Sequence, residues 1–536
     1  MSRQTVQARQ RLLEAREAFK ARQAELGIPD VWAGFHGRVA AVLAGGGARG
    51  GYEAGALLAI QDAQLPTPLI TATSIGGING ASYAAHAKGS CIGNAEPLVD
   101  AWFDLTPPTV GVEWTRYAWM IAGLVATFSG FTNLTYYLMQ VGGYEIHLRH
   151  PALAWASLCL AGITVLLLHD HIPYVWHLIQ RVLSGSRWRP ARRMLAKSML
   201  ANLIVFAFVV TVFWSLDVPG EFRDMLSNHP VTVVLILGGL IVIQQVRRYL
   251  HPNFGRLWGL LLRLPFRTGI FSNFERTRYL KKYIPSEGLR NTPIRVVLTS
   301  TDLQTGSLRY FTNADPASFL TEPGVDRAFA RRELVQLPNL MPAVIASSAL
   351  PIAYEPYELD GKFLADGAIV GSQPIRPAIR LGADVLLLIS MENPGGTRGP
   401  LHTFVDVGIR ALDILMQRNL HADFALLAQA NGQIEAAAAA LGMRPEDLVI
   451  EFEGRMFRYV KAFAIKPDRP IENSILDFGG RATGDTILRG YIDACNKIEE
   501  FAKYAAGGGF KKSRHTLPLE LVKPRRARAV KEEPRI

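Results

Sequence analysis

Metal-ligand and disulfide patterns are missing from this sequence. Its three cysteines, Cys91, Cys159 and Cys495, lie far apart, so no zinc cluster or disulfide framework is spelled out and a reducing compartment is expected. His36, His86 and the pair His147 and His150 lack ligand spacing; this leaves no metal and no cofactor to assign, and a Ser-His-Asp triad has little support. Charge is scarce: Asp, Glu, Lys and Arg make up 19% of the 536 residues, against 49% hydrophobic residues. Such a mix suggests a globular part joined to membrane segments. Acids are outnumbered, 46 to 58, for a net charge of +12. The basic excess crowds residues 181–197, residues 247–282 and the tail after Lys511. On charge alone those patches suit anionic lipid head groups and nucleic acid equally.

What is present divides into two kinds of text. Residues 1–26 alternate charge with Leu12, Leu13, Phe19 and Leu26, the pattern of a polar amphipathic helix lying on the domain rather than of a signal peptide. From about residue 38 to 89 the chain reads as strand, glycine-rich turn, helix, strand, helix. The pattern then stops. Four long uncharged runs follow, at residues 117–144, 151–168, 198–216 and 230–246. A helix needs about 20 apolar residues to cross ~30 Å of hydrocarbon. The third run, SMLANLIVFAFVVTVFWSL, fits that length, and the first, with Thr127, Ser129, Thr132, Asn133 and Thr135, fits it least. Residues 111–269 are therefore expected to form an inserted transmembrane region of about four helices. After residue 269 the α/β text resumes with IRVVLTSTDL and ADVLLLIS, apolar β-branched runs of strands covered on both faces. Residues 404–441 read as helical, and the last ~30 residues as a basic, disordered tail.

Chemistry concentrates at three places. A short apolar run climbs into Gly45-Gly46-Gly47-Ala48-Arg49-Gly50 just before a helix. Glycine lets a ligand approach the main chain, and the unpaired N–H groups of a helix start favour an anion. That anion is either a pyrophosphate, since Gly45, Gly47 and Gly50 fit G-x-G-x-x-G, or the oxyanion of an acyl transfer. The second strand ends in ATSIGG, residues 72–77. A serine between strand and helix, with Gly76 two residues on, resembles the G-x-S-x-G nucleophile elbow, although Ala72 stands where that motif has its first glycine. Ser74 reads equally as a helix cap. The third place is LADGAIVG, where Asp366 precedes Gly367 in what is either a D-G turn or a catalytic carboxylate. The dinucleotide reading asks for an acid about 20 residues on, at the end of the second strand; Asp62 comes too early, inside the first helix.

Taken in order, Gly45 to Gly50, Ser74 in its elbow, TSTDLQTG (residues 299–306), ASSALP and DGA resemble the patatin-like phospholipases over about residues 38–110 and 285–395. The resemblance implies an α/β, three-layer α/β/α sandwich with a mostly parallel central sheet. It implies a lipid acyl hydrolase working by a Ser–Asp dyad without histidine, with Ser74 as nucleophile, Asp366 as base and the N–H groups of Gly45, Gly46 and Gly47 as oxyanion hole. Arg49, Gly50, Gly76 and Gly367 support these motifs. The expected organisation is a charged helix over 1–36, a catalytic domain over 37–110 and 270–400 split by the insertion, a C-terminal helical part over 401–505 and the tail over 506–536. Partners are membrane phospholipids or other acyl lipids and the bilayer, not nucleic acid. The alternative is a membrane-tethered, lipid-binding scaffold without turnover. Because Ser74 precedes the insertion and Asp366 follows it, the insertion should cross the bilayer an even number of times. The basic 181–197 loop and the Arg247-Arg248 segment face the cytoplasm on the positive-inside rule, with the catalytic domain on the same side.

Overall fold

The computed structural model describes residues 3–28, 30–105, 107–110, 114–141, 150–168, 269–271, 273–391, 404–452, 455–469, 471, 483–510 and 514–518. They belong to two compact units: residues 1–112 with 268–536, and residues 113–267.

The first unit is built on a nine-stranded sheet. Its centre is five parallel strands in the order Lys461–Ile465, Val385–Ile389, Val39–Leu43, Leu69–Thr73 and Arg295–Asp302. All five residues of Val39–Leu43, of Leu69–Thr73 and of Val385–Ile389 are buried. These are the continuous apolar runs of strands covered on both faces. Alternation along one strand separates the two cores. Val39, Ala41 and Leu43 pack into the cluster that holds the helices Gly51–Asp62, Ile75–Ala85 and Thr483–Ala506. Ala40 and Val42 pack into the opposite cluster with Phe329 and Ile375. Helices therefore cover both faces of a mostly parallel sheet.

One feature of the sheet creates the site. Ser307–Thr312 occupies one edge of Arg295–Asp302 from Val297 to Asp302. Leu69–Thr73 occupies the other edge, and stops at Thr73 opposite Thr299. Lys362–Asp366 takes over that same edge in the antiparallel sense, starting with Asp366 opposite Ser300. The residue after Thr73 and the last residue of Lys362–Asp366 thus meet at one break in the ladder.

The C-terminal part departs from its all-helical expectation. Helices Phe404–Ala440 and Thr483–Ala506 are present, but between them Lys461–Ile465 joins the central sheet beside Val385–Ile389. A fully buried apolar strand without that partner would expose an open edge. The tail is not disordered at its start. Phe510 is buried, Arg514 forms an ion pair with the buried Asp384 at 2.7 Å, and His515–Pro518 pairs in parallel with Leu448–Phe452. Residues 519–536 lie outside the described residues. The N-terminal helix Arg3–Leu26 packs on the domain through Leu12 and Phe19, and Arg16 bonds Asp62 at 2.8 Å.

In the second unit two of the four uncharged runs form helices, Trp114–Val141 and His150–Leu168, packed as a pair. The contact is made by small residues: a Cβ added at Gly130 would lie 2.5 Å from the Cys159 backbone nitrogen, and one at Gly162 would lie 2.4 Å from that of Thr127. Among the described residues no helix is long and apolar enough to cross a membrane. This corrects the expectation of four spans as far as the first two runs are concerned. The runs at 198–216 and 230–246, and the charged loops used to orient them, lie outside the described residues.

Candidate active site

Ser74 follows the last residue of Leu69–Thr73 and precedes helix Ile75–Ala85. Its backbone is at φ 57° and ψ −128°, a left-handed conformation that costs a non-glycine residue of order 1–3 kcal/mol. The side chain makes no bond to the helix it precedes, so the helix-cap reading falls away. Instead the Ser74 hydroxyl donates a short hydrogen bond to Asp366 Oδ2. The strain is held from both sides: Ser74 N–H donates to Ser347 Oγ at 3.0 Å, and Gly77 N–H to the Ser74 carbonyl at 3.0 Å. Ala72 fits where the elbow motif has glycine. It is fully buried in the sheet, and a Cβ added at Gly80 would sit 3.7 Å from its methyl, an ordinary contact. The close passage belongs to Gly76, where a Cβ would come within 2.8 Å of the Ala44 carbonyl oxygen.

Asp366 is fully buried. Its N–H donates to the Ala349 carbonyl at 2.9 Å, and its carbonyl accepts from Thr301 Oγ1 at 2.9 Å. Its Oδ1 accepts from Ala368 N–H at 2.9 Å, which closes the D-G turn. Burial pushes the carboxyl pKa up to about 7, against the opposing pull of the Ser74 hydroxyl, the Ala368 N–H and the positive charge of Arg276. The acid is therefore near the midpoint of its titration at neutral pH. Gly367 stands against the Thr299 carbonyl, where a Cβ would come to 2.5 Å.

The glycine-rich loop divides its labour. Gly45 N–H donates to the Ser372 carbonyl at 3.1 Å, so it is occupied and faces no ligand. The loop then turns into the short 3-10 helix Gly47–Gly50. Gly47 has φ 57°, which glycine adopts without penalty, and it lines the same cavity as Ser74. Arg49 points away from that cavity into the protein. It is 2% exposed and paired with Asp413, both of its terminal nitrogens at 3.1 Å from the carboxylate oxygens. Gly50 lies under Ile75 and Trp102, its carbonyl accepting from Asn79 Nδ2 at 2.9 Å. Asn79 also donates to the fully buried Glu53 at 2.9 Å and accepts from Trp102 Nε1 at 3.0 Å. The dinucleotide reading does not survive: Asp62 has its carboxylate taken by Arg16 and by the Tyr491 hydroxyl at 2.9 Å.

Beside Ser74 opens a cavity of about 90 Å³ with an almost wholly apolar lining that includes Ile78, Leu98, Trp102, Leu280 and Leu350. Ser347, Arg276, Asn79 and Asp413 were not signalled by the sequence reading. Ser347 stands inside ASSALP, a stretch noticed for its order but not for a contact. Arg276 stands in NFERTRYLKKY, where four cations make it look like one more surface charge.

A model of the patatin-like phospholipases matches residues 41–142 and 201–379, just over half of the chain. Among solved structures, the crystal structure of VipD from Legionella pneumophila is similar at 11% identity and a TM-score of 0.31, covering 87% of this chain and 67% of that one. The structure of full-length SpcU in complex with full-length ExoU, from the type III secretion system of Pseudomonas aeruginosa, is similar at 15% identity and a TM-score of 0.18, covering 76% of this chain and 60% of that one. With the family match spanning the glycine-rich loop, the serine elbow and the D-G turn, the chain belongs to the patatin-like phospholipase family.

Proposed function

We propose that the protein is a serine hydrolase that cleaves carboxylic esters of lipids through an acyl-enzyme, with Ser74 and Asp366 as the catalytic pair. The observation that carries this reading is the hydrogen bond from the Ser74 hydroxyl to a buried carboxylate, at the mouth of an apolar cavity. The Ser74 oxygen attacks the ester carbonyl carbon while its proton passes to Asp366 Oδ2. The carbonyl oxygen becomes an oxyanion, received by the N–H groups of Gly46 and Gly47. The ester C–O bond then breaks, and the leaving alkoxide takes the proton back from Asp366. Water repeats the sequence: its proton goes to Asp366, its oxygen joins the acyl carbon, and Ser74 leaves reprotonated. The acyl chain lies in the apolar cavity. A fluorophosphonate probe tests the assignment: labelling at Ser74, lost in Ser74→Ala, supports it, and an unlabelled wild-type protein favours the lipid-binding scaffold.

The dyad sets the pH dependence. Asp366 must be ionised to accept the proton, so kcat/KM is expected to fall about tenfold per pH unit below about 7 and to level off above it. Stability runs the other way. The folded state keeps this proton up to about 7, whereas an unfolded Asp loses it near ~3.9, so between those values this carboxyl makes folding less favourable as pH rises. Asp366→Asn removes that penalty, and its melting temperature at pH 8 should exceed the wild-type value.

The insertion is proposed to hold this chemistry at a membrane from the cytoplasmic side. Support comes from the two helices of the second unit. Phe128, Val125 and Phe131 are exposed, and Thr127, Asn133, Thr135 and Thr164 turn their side chains back onto carbonyls four residues earlier, each at 2.8 Å. That leaves an apolar surface with its polar groups satisfied internally. After replacement of the three native cysteines, a Ser227→Cys variant in intact cells should react with an impermeant thiol reagent and a Ser186→Cys variant should not. The reverse pattern would invert the orientation, and protection of both with release by carbonate would remove the membrane assignment.

A further inference from the structure

Arg276 is 4% exposed and lies in the wall of the Ser74 cavity. It stands on helix Asn273–Tyr283, just after the chain returns from the inserted segment. Burial costs a guanidinium dearly unless its donors are satisfied. Here every hydrogen-bond partner is neutral. Nη1 donates to the Ser348 carbonyl at 2.6 Å and Nη2 to the Ile345 carbonyl at 3.1 Å and to Asn273 Oδ1 at 2.8 Å. Ile345 and Ser348 lie at the C-terminal end of helix Met341–Ser347, where unpaired carbonyls attract a cation.

The turn that Arg276 grips is the one that holds the dyad. Ser347 Oγ accepts from the N–H of Ser74, and the Ala349 carbonyl accepts from the N–H of Asp366. The five residues 345–349 thus touch Arg276 on one side and both dyad backbones on the other. Arg276 also stacks on the Tyr354 ring, 3.9 Å from its centroid. The Tyr354 hydroxyl donates to the Val110 carbonyl at 2.8 Å, where the chain leaves for the insertion. The return stem is fixed to the same place, because Gly269–Phe271 pairs with Ile352–Tyr354.

We propose that Arg276 is a positioning residue for the dyad and that, through Tyr354, both stems of the insertion are clamped to the turn that aligns Ser74 with Asp366. The proposal rests on the hydrolase reading of this site. The groups that face the Asp366 carboxyl are the Ser74 hydroxyl, the Ala368 N–H and Arg276, and only the last is charged. Loss of Arg276 therefore leaves the carboxyl harder to ionise and the dyad looser, while the acyl cavity keeps its apolar wall.

The test compares Arg276→Met, Arg276→Lys and Tyr354→Phe in the full chain, by steady-state hydrolysis of a soluble short-chain ester across pH and by the rate of fluorophosphonate labelling. Misplacement of reacting groups by about 1 Å can cost on the order of 10²-fold. Arg276→Met should lower kcat by about tenfold to a hundredfold, leave KM within about twofold, and move the half-maximal pH upward. Arg276→Lys should recover part of the rate and return the pH midpoint towards the wild-type value. Tyr354→Phe keeps the ring under the guanidinium but loses the hydroxyl's ties to Val110 and to Arg276 itself, and should slow labelling with no change in KM. A raised KM at unchanged kcat would make Arg276 a substrate-binding group and overturn the proposal, as would wild-type rates and pH midpoint in Arg276→Met. If Arg276→Met does not fold, as judged by its melting curve, the lysine and phenylalanine variants decide alone. Absence of labelling in the wild-type protein would defeat the hydrolase reading itself, a separate failure.

Discussion

Ser74→Ala and Asp366→Asn should each lower ester hydrolysis by at least ~10³-fold while the protein stays folded. General base catalysis alone accounts for roughly 10²–10⁴-fold, and loss of the nucleophile removes the covalent route altogether. In the proposed mechanism the two groups act as one unit, because the serine hydroxyl is a useful nucleophile only while the carboxylate takes its proton. The double variant should therefore be hardly slower than either single one. Additive losses, or near-normal turnover by either single variant, would mean that another pair carries the reaction. Asp366→Asn also separates chemistry from stability, since it should be slow and yet melt later than the wild type above pH 7.

Gly46→Ala should lower kcat by about 10²–10³-fold, with a much smaller change in substrate affinity. In the proposed mechanism the N–H groups of this loop meet negative charge only in the transition state, so misplacing them is felt in turnover. A Cβ at Gly46 would come within 2.6 Å of the Met391 methyl, and either that flexible end or the loop must shift. A paired Met391→Ala substitution provides the control. If the loss is steric, opening that space should restore part of the rate to Gly46→Ala. A variant with full activity would remove Gly46 from the oxyanion hole and leave Gly47 and the start of helix Ile75–Ala85 as the donors.

Much of this site was legible in the sequence, because its parts are written as strand-end punctuation. Glycine after an apolar run, serine before Ile75-Gly76, and Asp-Gly after Phe363-Leu364-Ala365 each mark a place where a strand stops and a side chain is left at the carboxyl end of the sheet. The division of the loop was not legible. Nothing in three consecutive glycines tells which N–H is spent on the Ser372 carbonyl, since that partner lies 327 residues away in the chain. Arg276 was hidden for a similar reason: its burial follows from neutral carbonyls of another segment and not from its own neighbours. The strand Lys461–Ile465 was missed because KAFAI is short and lies between helical texts, and only the open edge of Val385–Ile389 calls for it. The transmembrane expectation came from the length and apolarity of four uncharged runs, and among the described residues no helix is long and apolar enough to cross a membrane.

The split of the dyad across the insertion has a consequence for biosynthesis. Ser74 and Asp366 are separated by 292 positions. At translation speeds of about 5–20 residues per second, Ser74 exists for roughly fifteen seconds to a minute before Asp366 is made. For most of that interval strand Leu69–Thr73 has no Arg295–Asp302 to pair with, and the elbow has no Ser347 to hold its strain. Under the proposed mechanism a nascent chain is therefore inert towards the membranes around it until the inserted segment has emerged and the sheet has closed behind it.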